Sequence, residues 1–188
     1  MRDEHEPFER LVMSLIDLFQ RLGTPRAMEA GKHLFRAGER DESVYFVRQG
    51  FLKAYYLTDD GRELVKSLLG PGATIGSMSA TGERDVATYA LVARTPCELL
   101  AIPCERLFAE ARNDHAVAVQ LLDFLSALAR RKERREYELL CLSAPERHRE
   151  ALEAVATFGD AFSQADIAAY IGITPQALSR IKKRYGDA

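Results

Sequence analysis

Long apolar runs are missing from this 188-residue sequence. None approaches the roughly 20 residues a bilayer-spanning helix requires, and the opening MRDEHEPFER is charged where a secretory signal is apolar. The expectation is a cytoplasmic protein with no membrane partner. Cysteine is scarce: Cys97, Cys104 and Cys141 are widely spaced with no C-x-x-C pair, which argues against a disulfide framework and against a zinc knuckle. Histidine is nearly absent from the middle of the chain. His33 stands alone between Ala30 and Pro103, whereas a metal-dependent cupin enzyme needs a His-x-His pair and a Glu on neighbouring strands. No Ser-His-Asp, Cys-His or paired-carboxylate arrangement with supporting context occurs either, so the sequence reads as a non-enzyme without a metal site. A surplus of one charge is also lacking, with 26 Lys+Arg against 28 Asp+Glu and a net charge of −2. The average hides local patches: Arg130–Glu136 (RRKERRE) holds five basic and two acidic residues, and Arg180, Lys182, Lys183 and Arg184 cluster near the C-terminus.

What is present is a globular balance, 47% apolar and 29% charged, in a chain long enough for two modest domains. Phe8, Leu11, Leu15, Leu18, Phe19 and Leu22 recur at helical spacing and predict a helix over 8–22. From Ala30 to Pro103 the period shortens to β-rich runs: His33–Arg36, Val44–Arg48, Phe51–Leu57, Glu63–Leu69, Val86–Val92 and Glu98–Ile102. Turn residues separate them, among them Thr58-Asp59-Asp60-Gly61, which suits a hairpin reversal. After Asp114 the pattern is helical again, with a stripe of Ala118, Leu121, Leu122, Leu125, Leu128 and Ala129 leading into the basic block. Such a helix projects and needs a second surface, for which another copy of the chain is the simplest candidate. An ordinary helix packed on its own domain is the alternative.

Ser163-Gln164-Ala165-Asp166 has the form of a capping box, so a helix starts there. Ile167 and Ile171 give it an inner face, Ala168 is small where a second helix crosses, and Gly172 marks the turn. Ile173 anchors that turn. Thr174 then caps a second helix with Pro175 in its first position, where the missing N–H costs nothing. Leu178 and Ile181 point inward, leaving Gln176, Ser179, Arg180 and Lys183 outward. This is the pattern of a helix-turn-helix, whose second helix enters the major groove of double-stranded DNA. Gln pairs with adenine and Arg with guanine, while Thr174, Lys182, Lys183 and Arg184 suit phosphates.

Taken in order, these features resemble the Crp–Fnr superfamily of bacterial transcription regulators. The resemblance rests on Gly38-Glu39 before Val44–Gly50 (VYFVRQG), Asp60-Gly61-Arg62-Glu63, Gly70–Gly76 (GPGATIG) and Cys97–Ile102 (CELLAI). It continues in Ser143–Arg147 (SAPER), like the family's hinge, and Gln176-x-x-Ser179-Arg180, like its recognition-helix motif with Gln replacing Glu. It implies an α+β architecture in three parts. Residues 1–113 would hold an N-terminal helix and an antiparallel, jelly-roll-like β-roll of the cyclic-nucleotide-binding type, 114–142 a long dimerisation helix and 143–188 the helix-turn-helix. A homodimer on a roughly palindromic site would follow, with RNA polymerase as a further partner.

Three departures from the family pattern bear on function. Cyclic-nucleotide binders follow Gly-Glu with Arg-Ser or Arg-Thr, the Glu holding the ribose and the Arg the phosphate; here the corresponding effector-pocket residues are Gly76, Ser77, Ala87 and Thr88, with Arg84 nearby. Losing a desolvated cation from an anion site argues against cyclic AMP and leaves the small-molecule effector unidentified. The closely spaced cysteines of an iron–sulfur sensor do not occur before Cys97, and haem would require an axial ligand such as His33, Cys97 or His115. The chain also stops at Ala188, which predicts a wingless DNA-binding unit dependent on dimerisation and on Lys182-Lys183-Arg184. The runner-up reading is a small-molecule-responsive signalling module acting through protein contacts.

Overall fold

The structure, a computed structural model, describes residues 16–77 and 86–185. Among the described residues eight strands form two four-stranded sheets, β1 (Thr24–Met28), β8 (Cys97–Pro103), β3 (Ser43–Gln49) and β6 (Thr74–Gly76) in one, and β2 (His33–Phe35), β7 (Ala90–Ala93), β4 (Leu52–Leu57) and β5 (Glu63–Leu69) in the other. Every pairing is antiparallel. The period of two sorts the side chains to opposite faces. On β3, Tyr45 and Val47 point between the sheets and join Leu52, Ala54, Leu91 and Leu99 there, Leu99 being the partner of Val47 across the β3–β8 pairing, while Val44 and Phe46 point outward to a second apolar layer.

That outer layer is helical. Residues 16–22 (α1) supply Leu18, Phe19 and Leu22, α2 (Cys104–Asn113) supplies Leu107, and α3 (His115–Cys141) supplies Val117 and Leu121, all against Phe46, Leu100 and Ile102. Asp114 starts α3 by accepting from the amides of Ala116 (2.9 Å) and Val117 (3.4 Å). The first half of the helix expected over 8–22 lies outside the described residues.

The strand boundaries differ from the sequence reading at several places. Strand β1 is an exposed edge strand containing Pro25 and carries no inward–outward alternation to announce it. The short β6 was also unmarked, and in place of a strand over Val86–Val92 only Ala90–Ala93 pairs. Between the roll and the helix-turn-helix lies α4 (Ala144–Phe158), begun by a second capping box in which the Ser143 amide and hydroxyl donate to Glu146 Oε2 at 2.8 and 2.6 Å. The SAPER segment is therefore the first turn of a helix, and α3 gives way to α4 across Leu142 and Ser143 alone.

The expected stripe of α3 divides between two faces. Leu121 is buried in the chain's own core and Leu125 packs partly against it, whereas Leu122 is 63% exposed. The self-facing side carries Val117, Leu121, Phe124 and Leu125. The open side runs Val119, Leu122, Ser126, Ala129, alternating steps of three and four. Ala118 is half-buried between them.

Candidate nucleic-acid interface

Helix α5 (Gln164–Ile171) opens on the expected capping box: the Asp166 amide donates to Ser163 Oγ at 3.1 Å, while the Ser163 hydroxyl and amide donate to Asp166 Oδ2 at 2.8 and 3.2 Å. It ends at Gly172, whose φ of 79° lies in the left-handed region that glycine occupies without steric cost. The amide of Ile173 returns to the Ala168 carbonyl (2.9 Å), closing the turn. Thr174 Oγ1 then accepts from the Ala177 amide at 3.2 Å, and Pro175 begins α6 (Pro175–Tyr185).

Leu178 and Ile181 of α6 are buried, Leu178 in one cluster with Ile167, Ala168 and Ile171. Gln176, Ser179, Arg180, Lys183 and Arg184 are exposed, as is Thr174, and Lys182 is half-buried. Two shallow depressions flank this row, one lined by Gln164, Pro175, Ser179, Lys182 and Lys183, the other by Gln176, Ser179 and Arg180. Lys182, Lys183 and Arg184 fill the last turn, where cations complement the helix dipole. The arrangement presents hydrogen-bonding and basic side chains on one exposed face of α6.

The unit carrying this face is braced on three sides. Val65 and Leu68 of β5 join Ile167, Ala168, Ile171 and Leu178 in one apolar cluster. Phe51, Phe158 and Phe162 stack edge-on beside it, with ring centroids 5.1–6.0 Å apart. At the amino end of α5, Lys53 Nζ on β4 donates to Asp166 Oδ1 (2.8 Å) and to Glu63 Oε2 (2.6 Å), and Arg94 donates to Asp166 Oδ2 (3.0 Å). Burial alone would raise the Asp166 carboxyl, but the hydrogen bonds from Lys53 and Ser163 outweigh it and hold it below the ordinary range. Burial likewise opposes the Lys53 charge and is outweighed by Asp166 and Glu63, which raise the amine. At the carboxyl end, the Arg135 guanidinium of α3 donates to the Tyr170 carbonyl and that of Arg147 in α4 to the Ile171 carbonyl (2.8 Å). Those carbonyls have no partner within the helix. The sequence showed Asp166 only as a capping residue; its pairing with Lys53, 113 positions away, carries no local signal.

The effector-pocket residues lie elsewhere. Gly76 sits on β6 where an added Cβ would come within 2.9 Å of the Ser43 carbonyl oxygen. Ser77 is buried, Thr88 is exposed, and Arg84 lies outside the described residues. Ala87 is 1% exposed in the core of the roll, its amide donating to the Glu39 carbonyl and its carbonyl accepting from Gly38, each at 2.8 Å. The methyl group enclosed there supplies no positive charge for the phosphate of a cyclic nucleotide.

His33 Nε2 and the Tyr55 hydroxyl share a hydrogen bond (2.9 Å), Cys97 is buried and donates to the Thr95 and Phe51 carbonyls, and His115 is exposed. Among the described residues no group of three His, Cys, Asp or Glu side chains could hold a metal ion, and no helix is long and apolar enough to cross a membrane.

Residues 25–114 match the cyclic nucleotide-binding domain family. Along 92% of its length the chain is 29% identical to the transcriptional activator protein Anr of Pseudomonas protegens, spanning 74% of that protein. Other curated relatives are matched over about half their length, 53% in one and 45% in another. Among solved structures, the c-di-GMP responsive global regulator CLP of Xanthomonas campestris superposes with a TM-score of 0.64 at 25% identity, covering 92% of this chain and 90% of that one. FixK2 from Bradyrhizobium japonicum shares the fold with a TM-score of 0.71 at 21% identity, covering 87% and 84%.

Proposed function

Taking the chain as a transcription regulator of the Crp–Fnr type, we propose that it is a cytoplasmic, non-enzymatic homodimer that reads a roughly palindromic DNA site through α6. In this reading residues 1–113 respond to a small molecule, 114–142 pair the two copies and 143–188 contact DNA. The observation that carries it is the exposed row Gln176, Ser179, Arg180 and Lys183 over a buried Leu178 and Ile181. Gln176 and Arg180 suit base edges, with Ser179 between them; Thr174, Lys182, Lys183 and Arg184 suit the backbone.

The two-fold contact falls on the open side of α3. Val119, Leu122, Ser126 and Ala129 keep the alternating three–four spacing of a parallel coiled-coil seam, and the small Ser126 and Ala129 allow close approach. Of the stripe expected from sequence, only Leu122 and Ala129 belong to this side. Two recognition helices about one DNA turn apart would follow, and RNA polymerase is the further partner such regulators address.

The test is selection of binding fragments from a random-sequence DNA pool by the full chain, followed by a gel-shift titration in salt. An enriched inverted repeat and affinity falling steeply with salt are expected. Recovery of no consensus, with or without cell extract metabolites, contradicts the reading.

A further inference from the structure

The apolar core of the helix-turn-helix is shared with the roll. Ile167, Ala168 and Ile171 of α5 and Leu178 of α6 belong to one cluster with Val65 and Leu68 of β5, and Phe51, in the turn between β3 and β4, packs against it. Apolar burial is non-directional. It holds α5 on β5 but leaves open how far the helix is turned or slid along the strand.

Asp166 removes that freedom. The residue that closes the α5 cap with Ser163 is buried and turns its two carboxylate oxygens to two different parts of the roll. Oδ1 accepts from Lys53 Nζ on β4 (2.8 Å), and Oδ2 accepts from the Arg94 guanidinium in the turn between β7 and β8 (3.0 Å). Both donors are themselves held. Lys53 also donates to Glu63 Oε2 on β5 (2.6 Å), while the Arg94 amide donates to the Phe51 carbonyl (2.8 Å) and the Phe51 amide to Thr95 Oγ1 (2.9 Å). A buried charge cluster contributes little net stability, because desolvation offsets its attraction, but it penalises any arrangement that strands one charge without its partner. Its effect is therefore on register. Since α6 follows α5 across the Gly172 turn and Leu178 lies in the shared cluster, any rotation of α5 on β5 carries the exposed row Gln176, Ser179, Arg180 and Lys183 with it.

We infer that Lys53 and Arg94, residues of the roll and not of the helix-turn-helix, are positioning residues for DNA reading: they set the angle at which the roll presents α6. The inference rests on reading α6 as the DNA-contacting helix of a homodimer. Its effect falls on the second half-site. A single helix-turn-helix on a duplex with one half-site chooses its own orientation, whereas the second unit of a dimer gains a high effective concentration only where its pose already matches the DNA.

Gel-shift titrations of the full-length protein on the selected palindrome and on a duplex carrying one half-site test this. Lys53→Met combined with Asp166→Asn removes both charges of the buried pair together, keeps a cap acceptor beside Ser163, and leaves only the partly exposed Glu63 and Arg94 to solvent. Arg94→Gln removes the other donor alone, and decides by itself should the paired replacement fail to fold. Each should lose about ten-fold or more in affinity for the palindrome while its affinity for the half-site stays nearly unchanged. Arg94→Lys, which keeps a charged donor, should recover most of the loss. In the absence of DNA, amide hydrogen exchange should quicken over residues 164–185 in both variants and stay as in the parent over β3 and β8. Equal losses on the two duplexes mean fewer folded molecules and no misplaced helix, which overturns the inference; so does unchanged binding to both. A salt slope on the palindrome that falls by about two in Arg94→Gln, one per copy, would make Arg94 a phosphate contact and overturn its positioning role. A parent that binds neither duplex removes the DNA-reading proposal itself, while the exchange data still report whether the roll anchors α5.

Discussion

Lys53 Nζ and Asp166 Oδ1 stand 2.8 Å apart, joining the middle of the β-roll to the first turn of the helix-turn-helix through side chains only 7% and 9% exposed. The pair ties the cap of α5 to a strand, so the orientation of the helix-turn-helix depends on a contact that neither part makes alone. Glu63 and Arg94 add one partner to each.

Replacing Asp166 by Ala should destabilise the protein by about 3 kcal/mol, the lower end for a broken buried pair because Lys53 keeps Glu63. Lys53→Met should cost a similar amount. The double variant should cost clearly less than the sum of the two, and a urea-unfolding double-mutant cycle reads the difference. Strict additivity would mean that the pair does not couple the two parts.

The same pair sets a pH window. Asp166 is depressed in the folded protein, so its contribution is fully present above the ordinary carboxylate value and is lost as pH falls through the lower folded value. Lys53 is raised, so its contribution is present below the ordinary lysine value and lost as pH climbs through the higher folded one. The stability gap between the parent and Asp166→Asn should therefore be flat from about pH 5 to 9 and narrow below about pH 4. A gap that varied through neutrality would point to a different titrating group.

On DNA, Arg180→Ala should relax the preference at one base position, costing about 1–3 kcal/mol on the selected site and little on unrelated sequence. Lys183→Ala should weaken all sequences alike and reduce the salt slope by about one. Identical profiles from the two variants would show that the base-reading and phosphate roles are wrongly divided.

For the dimer, Leu122→Glu places a charge in the open seam of α3 and should yield monomers by analytical ultracentrifugation, with affinity for the palindrome lost more than ten-fold. Leu121→Ala acts elsewhere. It cuts into the chain's own core and should lower stability by about 2–5 kcal/mol without separating folded copies.

Much of this architecture could be read from the chain because its signals are local. Ser163, Gly172 and Pro175 each specify a backbone state within a few residues of themselves, and β5 was bounded correctly because Glu63–Leu69 lies between two turns. What escaped was non-local or unpatterned. Helix α4 has mixed faces that no single stripe announces, and β1 is an edge strand paired with β8, Thr24 lying opposite Ala101 and Met28 opposite Cys97, far along the chain. The stripe on α3 merged two sides because Leu121 and Leu122, adjacent in sequence, face a core and an open seam respectively.

The guanidinium groups that grip the tail of α5 have a geometric consequence. With Arg135 reaching from α3 and Arg147 from α4, α5 is fixed to the long helix, so in the proposed dimer the two helix-turn-helix units would act as a caliper whose jaws are set at one width. Operators lengthened by a single base pair, which shifts one half-site by about 3.4 Å and rotates it about the duplex, should be rejected even when both half-sites are intact.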